Sequence, residues 1–471
     1  MASILMVSSE AAPFAKTGGL ADVLGALPRA LVEEGEKVAV VLPLYKRVVL
    51  PNPRTVYERM QFGMGTHGSS ATILEQVENG VAYYFVRIPE LYDREEFYDV
   101  GGREYPDNHL RFAALCHAAL GVARHLFNPD IIHCHDWQSG LLPLLLRDTY
   151  RNHPAYLGIK TVFTIHNLGY QGLFLPTALA DLGLPNRLFR PDGLEFFGQI
   201  SFLKGGLVFS DFLTTVSPRY AQEIQTPAFG FGLDGLLRTR SNVLTGILNG
   251  ADYSSWDPAI DSNLPKNFNR VHPEGKRDCK RALLAEVGLA GDRFDSPVIG
   301  IVSRFAAQKG FDLLMQIPDK LAAEDISLVV LGSGEKRLED FFSWFASAYP
   351  DRVSVKIGYD DGLAHRIEAG SDMFLMPSRY EPCGLNQIYS MRYGTLPVVH
   401  ATGGLDDTVD ADTGFKFRGD NSQELLDCIR AALQVYGTPR WSEMMDTAMQ
   451  RDFSWNVAAR EYIRLYRQPR P

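Results

Sequence analysis

Lys16-Thr17-Gly18-Gly19-Leu20 stands between an apolar run at residues 4–7 and a segment, residues 21–32, in which Leu20, Val23, Leu24, Leu27 and Leu31 recur at helical spacing. A lysine and two glycines thus occupy the point where a buried strand hands over to a helix. Free backbone N–H groups and the positive end of the helix dipole attract an anion there, and the missing side chains let a phosphate come close. Lys16 adds a mobile positive charge at the same spot. A tight turn with a solvated lysine uses the same residues, and the spacing from Gly18 is not that of a dinucleotide G-x-G-x-x-G fingerprint. The rest of the chain has to decide.

Outward from this stretch, short apolar runs alternate with longer amphipathic ones almost throughout. Strands are expected at residues 4–8, 37–42, 81–88, 130–134, 160–165 and 212–216, with helical patterns at 108–127, 140–150 and 218–225. After about residue 250 the pattern restarts. Strands are expected at 298–303, 327–331, 353–357, 373–377 and 396–400, and helices at 310–321, 335–348, 362–369, 385–393 and 422–435. Such alternation predicts an α/β protein with parallel sheets covered by helices on both faces. Two series predict two doubly wound, Rossmann-like domains, 1–245 and 246–453, with a polar stretch at 253–275 near the join. A last helical pattern, 455–466 within 454–471, is assigned to cross back to the first domain. In open sheets of this class ligands sit at the carboxyl ends of the strands, and two facing sheets make the cleft between them the default site.

A length of 471 residues exceeds one ordinary core, and 45% hydrophobic with 22% charged residues describes a soluble globular chain. The net charge of −9 argues against a general nucleic-acid partner but not against local basic pockets for phosphates. Five scattered cysteines (Cys116, Cys134, Cys279, Cys383, Cys428) form no C-x-x-C pair, which points to a reducing compartment and away from disulfide frameworks and zinc ribbons. The sequence opens on no basic-plus-apolar leader, and no apolar run nears the ~20 residues that span a bilayer. A cytoplasmic location without a membrane partner is expected.

Three strand ends in the second half carry chemistry. Arg304 and Lys309 lie five apart in a loop that enters a helix, where both cations can be aimed at one diphosphate, although a solvated loop has the same sequence. In Glu381-Pro382-Cys383-Gly384-Leu385 a strand ends, Pro382 forces an extended turn and Gly384-Leu385 opens a helix. Glu381 is placed there to grip sugar hydroxyls or simply to cap the helix. Thr402-Gly403-Gly404-Leu405 repeats the opening theme of a glycine pair after a strand.

Together these segments resemble the bacterial glycogen synthases and plant starch synthases, retaining glycosyltransferases of the GT-B fold, in which two Rossmann-like domains face one another across a deep cleft. The resemblance runs from the first strand to the last helix. It rests on Lys16 through Val23, His133-Cys134-His135-Asp136-Trp137, Thr164-Ile165-His166-Asn167, Asn249-Gly250, Arg304 through Lys309 and Glu381 through Leu385. It implies transfer of glucose from ADP-glucose to the non-reducing 4-hydroxyl of an α-1,4-glucan (glycogen or a maltooligosaccharide), with retention of configuration and release of ADP. It implies no metal and no cofactor. In the wider retaining superfamily a second glutamate commonly lies eight positions after the first. Here that position is Tyr389, as in glycogen synthases.

The resemblance assigns Arg304 and Lys309 to the donor diphosphate, assisted by Gly18, Gly19, Gly384 and the Leu385 backbone, with Lys16 reaching the same donor. Charge that grows on a leaving diphosphate is best met by such preset cations and amides. Glu381 holds sugar hydroxyls and offsets charge on an oxocarbenium-like ring, His166 positions the glucose, and Asn249 is a further sugar contact. Asp136 is grouped with the catalytic residues, although orienting a neighbour would explain it equally. Asp22 and Tyr92 are expected at the acceptor or sugar, Tyr359 against the donor base and Cys383 beside the donor. His133 and His135 share a strand face but lack a third ligand in sequence, so no metal site is expected. Two readings stay open beside this one: another GT-B enzyme using UDP-glucose or a small acceptor, and a glucan-binding protein without catalysis. Glycan phosphorolysis needs a pyridoxal cofactor. No heptad seam speaks to oligomeric state.

Overall fold

The Val, Ile and Leu runs become strands buried on both faces, as parallel sheets require: Ile4, Leu5, Met6 and Val7 are all 0% exposed. The computed structural model describes residues 1–65, 67–289 and 292–471. They fall into two units. The first holds Met1–Val216, Ala221–Gly250 and Trp455–Pro471, and the second holds Ser217–Tyr220 and Ala251–Ser454.

In the first unit the sheet runs, edge to edge, Leu244–Gly246, Phe212–Thr215, Lys160–Ile165, Ile131–His135, Ser3–Val7, Lys37–Pro43, Val81–Arg87, His67–Glu78, Arg54–Met64. All pairs are parallel except those of the hairpin Arg54–Met64/His67–Glu78, which adds two antiparallel strands at one edge. Strand order reverses between Ser3–Val7 and Ile131–His135, so that their carboxyl ends make a topological switch point. The helix Gly19–Glu33 follows the first strand, and Trp455–Tyr466 packs against it, with Arg460 Nε 3.0 Å from Glu34 Oε1.

The second unit has six parallel strands in the order Val353–Ile357, Ser327–Gly334, Val298–Phe305, Met373–Met376, Leu396–His400, Phe415–Phe417. Numbered along the chain this is the Rossmann order, with its switch point between Val298–Phe305 and Met373–Met376. Its main core packs Ile299, Ile301, Leu328, Val330 and Leu375 against Phe342, Ile388, Leu426 and Ile429 of the flanking helices.

The structure departs from the expected elements in a few places. The stretch expected as one helix at 310–321 is two short ones, Asp312–Met315 and Pro318–Ala323. Pro318 lacks the N–H that an uninterrupted helix needs and instead starts the second piece. The edge hairpin and the helices Gly275–Glu286 and Pro439–Gln450 went unanticipated. No helix among the described residues is long and apolar enough to cross a membrane.

Candidate active site

Each switch point carries a cluster of the expected residues. In the first unit the loop after Ser3–Val7 is tied down by Glu10, which is only 3% exposed. Its carboxylate accepts from Thr17 N (2.5 Å), Thr17 Oγ1 (2.6 Å) and Tyr98 Oη (2.5 Å). This anchorage delivers Gly18, in extended conformation, to the N-terminus of Gly19–Glu33. A Cβ added at Gly18 or Gly19 would meet nothing within 4 Å, so the protein's own packing does not demand these glycines. The free space in front of the helix suits an anion. Lys16 stands exposed beside it, paired to Asp22 at 2.6 Å. Glu10 escaped the sequence reading; its signal is the polar trio Ser8-Ser9-Glu10 directly after a buried strand.

Asp136 follows Ile131–His135 with φ +54°, a backbone position that non-glycine residues adopt rarely and mostly at functional sites. Its Oδ1 accepts from the His166 backbone N–H at 2.8 Å. It therefore sets the loop that carries His166. Burial pushes its carboxyl up to about 7, against backbone hydrogen bonds from His166 and Asn167 that favour the charge. His166 Nε2 shares a hydrogen bond with His135 Nδ1 at 3.0 Å, and burial lowers the His166 pKa to about 3, so its ring is neutral. His133 spends both ring nitrogens on protein, on Tyr466 Oη (2.8 Å) and Thr164 Oγ1 (2.6 Å). Among the described residues no group of three or more His, Cys, Asp or Glu side chains could hold a metal ion. Asn249 is 9% exposed and its Oδ1 has no partner, an orphaned acceptor of the kind a ligand hydroxyl satisfies.

In the second unit a pocket of about 340 Å³ opens at the carboxyl ends of the strands around the switch point. Arg304, Lys309, Tyr359, Glu381, Gly384 and Leu385 line it. Lys309 Nζ lies 2.6 Å from Glu381 Oε2, which also accepts from Ser378 Oγ at 3.0 Å. The guanidinium of Arg304 is exposed and makes no ion pair among the described residues. Two loops are zipped together to build this corner: Gln308 Nε2 donates to Tyr380 O (2.7 Å) and Arg379 N donates to Gln308 O (2.9 Å). Gly310 makes the approach possible, since at φ +70° a Cβ would lie 2.1 Å from Pro377 O. Tyr359 is 87% exposed at the rim, its hydroxyl 3.0 Å from Asp361 Oδ1.

Three expectations need correction. Tyr92 cannot touch a sugar: it is 0% exposed and its hydroxyl donates to Arg111 O at 2.7 Å, inside a network in which buried Arg111 binds Leu91 O, Phe97 O and Asn108 Oδ1. Cys383 does not line the pocket; it is 5% exposed and packed behind it, with its carbonyl accepting from Gln387 Nε2 at 3.1 Å. The pair Gly403-Gly404 serves close packing: added Cβ atoms would stand 1.9 Å from Glu381 O and 2.0 Å from Cys383 O, and Gly404 N donates to Glu381 O at 3.1 Å. These glycines brace the loop of Glu381 from behind. Tyr389 also stays out of the pocket lining and stacks on Trp256, with ring centroids 4.3 Å apart.

Comparison with known proteins agrees with this geometry. Residues 3–239 match the family described as "Starch synthase catalytic domain", and residues 296–435 match "Glycosyl transferases group 1". The glycogen synthase of Koribacter versatilis is 50% identical over 472 residues, covering 98% of this chain and 97% of that protein. That of Anaeromyxobacter dehalogenans (strain 2CP-C) is 49% identical over 479 residues, covering 99% and 100%. The catalytic domain of Starch Synthase IV from Arabidopsis thaliana, solved bound to ADP and acarbose, superposes with a TM-score of 0.89 at 32% identity over 99% of this chain and 98% of that one. With these matches and two Rossmann-like parallel sheets, the chain belongs to the glycogen synthase and starch synthase family of GT-B glycosyltransferases.

Proposed function

We propose that the chain transfers glucose from ADP-glucose to the non-reducing 4-hydroxyl of an α-1,4-glucan, with retention of configuration and release of ADP. The observation that carries this reading is the second-unit pocket, which unites Arg304, Lys309 and Glu381 at a switch point in a chain about half identical to glycogen synthases. Arg304 and Lys309 meet the diphosphate, where charge grows as the anomeric C–O bond breaks. Glu381 trades part of its pairing with Lys309 for the glucose hydroxyls and offsets charge on the ring. Tyr359 supports the base. In the first unit, Lys16, Gly18 and Gly19 contribute at the donor, and His166 and Asn249 at the sugar, with Asp22 acting through Lys16 and Asp136 through His166. The first unit is thus the acceptor side and the second the nucleotide-sugar side.

Retention is assigned to front-face attack. The acceptor oxygen bonds to the anomeric carbon on the face the diphosphate leaves, and its proton passes to the departing phosphate oxygen. Trapping a glucosyl ester on a carboxylate would overturn this route in favour of a covalent one. No metal or cofactor takes part, and the enzyme works in the cytoplasm. The test is glucose incorporation into glycogen with ADP-glucose and UDP-glucose offered separately. Incorporation from ADP-glucose that falls by at least ~10²-fold in Glu381→Ala is expected. Incorporation from UDP-glucose alone would reassign the donor, and none from either would refute glucan synthesis.

A further inference from the structure

Among the described residues few non-glycine positions have positive φ, and two of them are exposed phenylalanines, Phe197 (φ +47°, 80% exposed) and Phe231 (φ +46°, 48% exposed). Each is followed by a glycine that is also left-handed, Gly198 at +80° and Gly232 at +82°. Phe197-Gly198 is the two-residue turn between Glu195–Phe196 and Gln199–Ser201, whose ends pair as Phe196 with Gln199. Phe231-Gly232 is the centre of a second such turn, closed by Leu233 N donating to Gly230 O at 2.7 Å. Turns of this kind want Asn, Asp or Gly at the first central position, and a bulky side chain there is strained. Exposing the ring adds an unfavourable hydration term. The same pair of local penalties at two turns calls for a reason.

The turns meet. A Cβ on Gly232 would stand 2.9 Å from Phe197 Cε2 and 3.1 Å from Phe196 Cζ, so these rings lie across that glycine. Phe231 in turn lies against the loop that follows His166: a Cβ on Gly169 would be 3.7 Å from its Cζ. Beneath it Gln171 donates through Nε2 to Phe231 O at 3.0 Å, while its Oε1 is buried with no partner. Tyr170, next in the chain, is 63% exposed. The result is a small aromatic surface within the first unit, continuous with the His166 loop and provided with an unused acceptor at its base.

An exposed pair of phenylalanine rings, Phe197 set edge-on to Phe196 at 4.7 Å, beside the loop of the proposed sugar-positioning His166 suits an uncharged polymer whose repeating units each offer an apolar C–H face and a rim of hydroxyls. We propose that Phe197 and Phe231 form a stacking platform that holds the acceptor α-1,4-glucan beyond its reacting end, with Gln171 Oε1 available to a hydroxyl. This rests on the glucan-transfer reading above and adds to it a site for the body of the chain. The platform gives a reason for phenylalanine at two turns where the backbone favours asparagine: grip on the acceptor is set against the local strain.

The test replaces both rings with the residue that the turns prefer, Phe197→Asn and Phe231→Asn together, so that loss of binding is not confused with loss of fold. Thermal stability is expected to hold or rise. Retardation of the full-length protein in native gels containing glycogen, and its affinity for maltoheptaose, should weaken by about 5- to 20-fold. KM for glycogen should rise in parallel while KM for ADP-glucose moves less than twofold. Unchanged retardation and affinity would overturn the platform. So would a fall in sedimentation coefficient without loss of glucan affinity, which would make the rings a contact between copies. Retardation needs no turnover, so the platform and the transferase activity stand or fall separately: platform-dependent binding without glucose transfer would refute only the latter.

Discussion

Glu381 is held by a lysine and a serine in a pocket that has no other carboxylate so enclosed, and Asp136 is its counterpart in the first unit, raised by burial to about 7 from an ordinary 3.8. The sign of that shift gives a stability signature. Between about pH 4 and pH 7 the folded protein keeps the Asp136 proton that the unfolded chain has released, so this group's contribution falls as pH rises through the window and levels off above it. Asp136→Asn retains an acceptor for the His166 N–H and removes the titration. Urea midpoints at pH 5 and pH 8 should therefore show the variant gaining on the wild-type protein as pH rises, while turnover drops because an amide has one acceptor oxygen where the carboxyl serves the backbone N–H groups of both His166 and Asn167. A difference that stays flat with pH would mean that the carboxyl is not held protonated. That Arg304, Lys309 and Glu381 line one pocket was foreshadowed by the resemblance rather than by local pattern, since a solvated loop or a helix cap would carry the same residues. Tyr92 misled because nothing local in Leu91-Tyr92-Asp93-Arg94 reveals that Arg111, 19 residues on, lies over the ring and offers its backbone carbonyl to the hydroxyl.

At the scale of elements, the two glycine pairs look alike in sequence and differ in the space before them. Gly403-Gly404 opens a helix against the backbone of Glu381 and Cys383, whereas Gly18-Gly19 opens one into free space. Opposite outcomes follow for the same substitution. Gly404→Ala forces the Glu381 loop to shift, and a misplacement of about 1 Å lowers turnover by about 10²-fold with a fall in stability. Gly19→Ala meets no neighbour and improves helix propensity, so stability should hold or rise by up to ~1 kcal/mol. Its effect should instead be on KM for ADP-glucose, which rises if a phosphate comes close there. Melting curves and donor saturation for the two variants check this; a Gly19→Ala enzyme with wild-type KM would remove the first glycine pair from the donor site. Strands buried on both faces were readable because apolar and β-branched residues dominate them, even where Thr164 or His133 is buried among them. The edge hairpin was not, since Arg54, Glu58, Arg59 and Gln61 face solvent and its register shifts between Thr55 and Met60 break any alternation.

At the scale of the whole molecule, the two series of alternating strands and helices already imply two parallel-sheet units, because alternation leaves few topologies open. The return of Trp455–Pro471 to the first unit was expected, but Ser217–Tyr220 was not: it belongs with the second unit although it lies within first-unit sequence. Such allegiances depend on packing far along the chain, as with Tyr466 on His133, rather than on local pattern. Two units with their own sheets need not melt as one, and the assigned diphosphate ligands Arg304 and Lys309 both lie in the second. Calorimetry should thus show unfolding that is not two-state, with a van't Hoff enthalpy below the calorimetric one. ADP at about 100 times its Kd adds about 2.7 kcal/mol to whatever binds it. It should raise the component that contains the second unit, and Lys309→Ala should abolish most of the rise while leaving the ligand-free profile recognisable. A single transition with equal enthalpies would show that the units unfold together; a profile that ADP does not move would take the diphosphate out of the Arg304–Lys309 pocket.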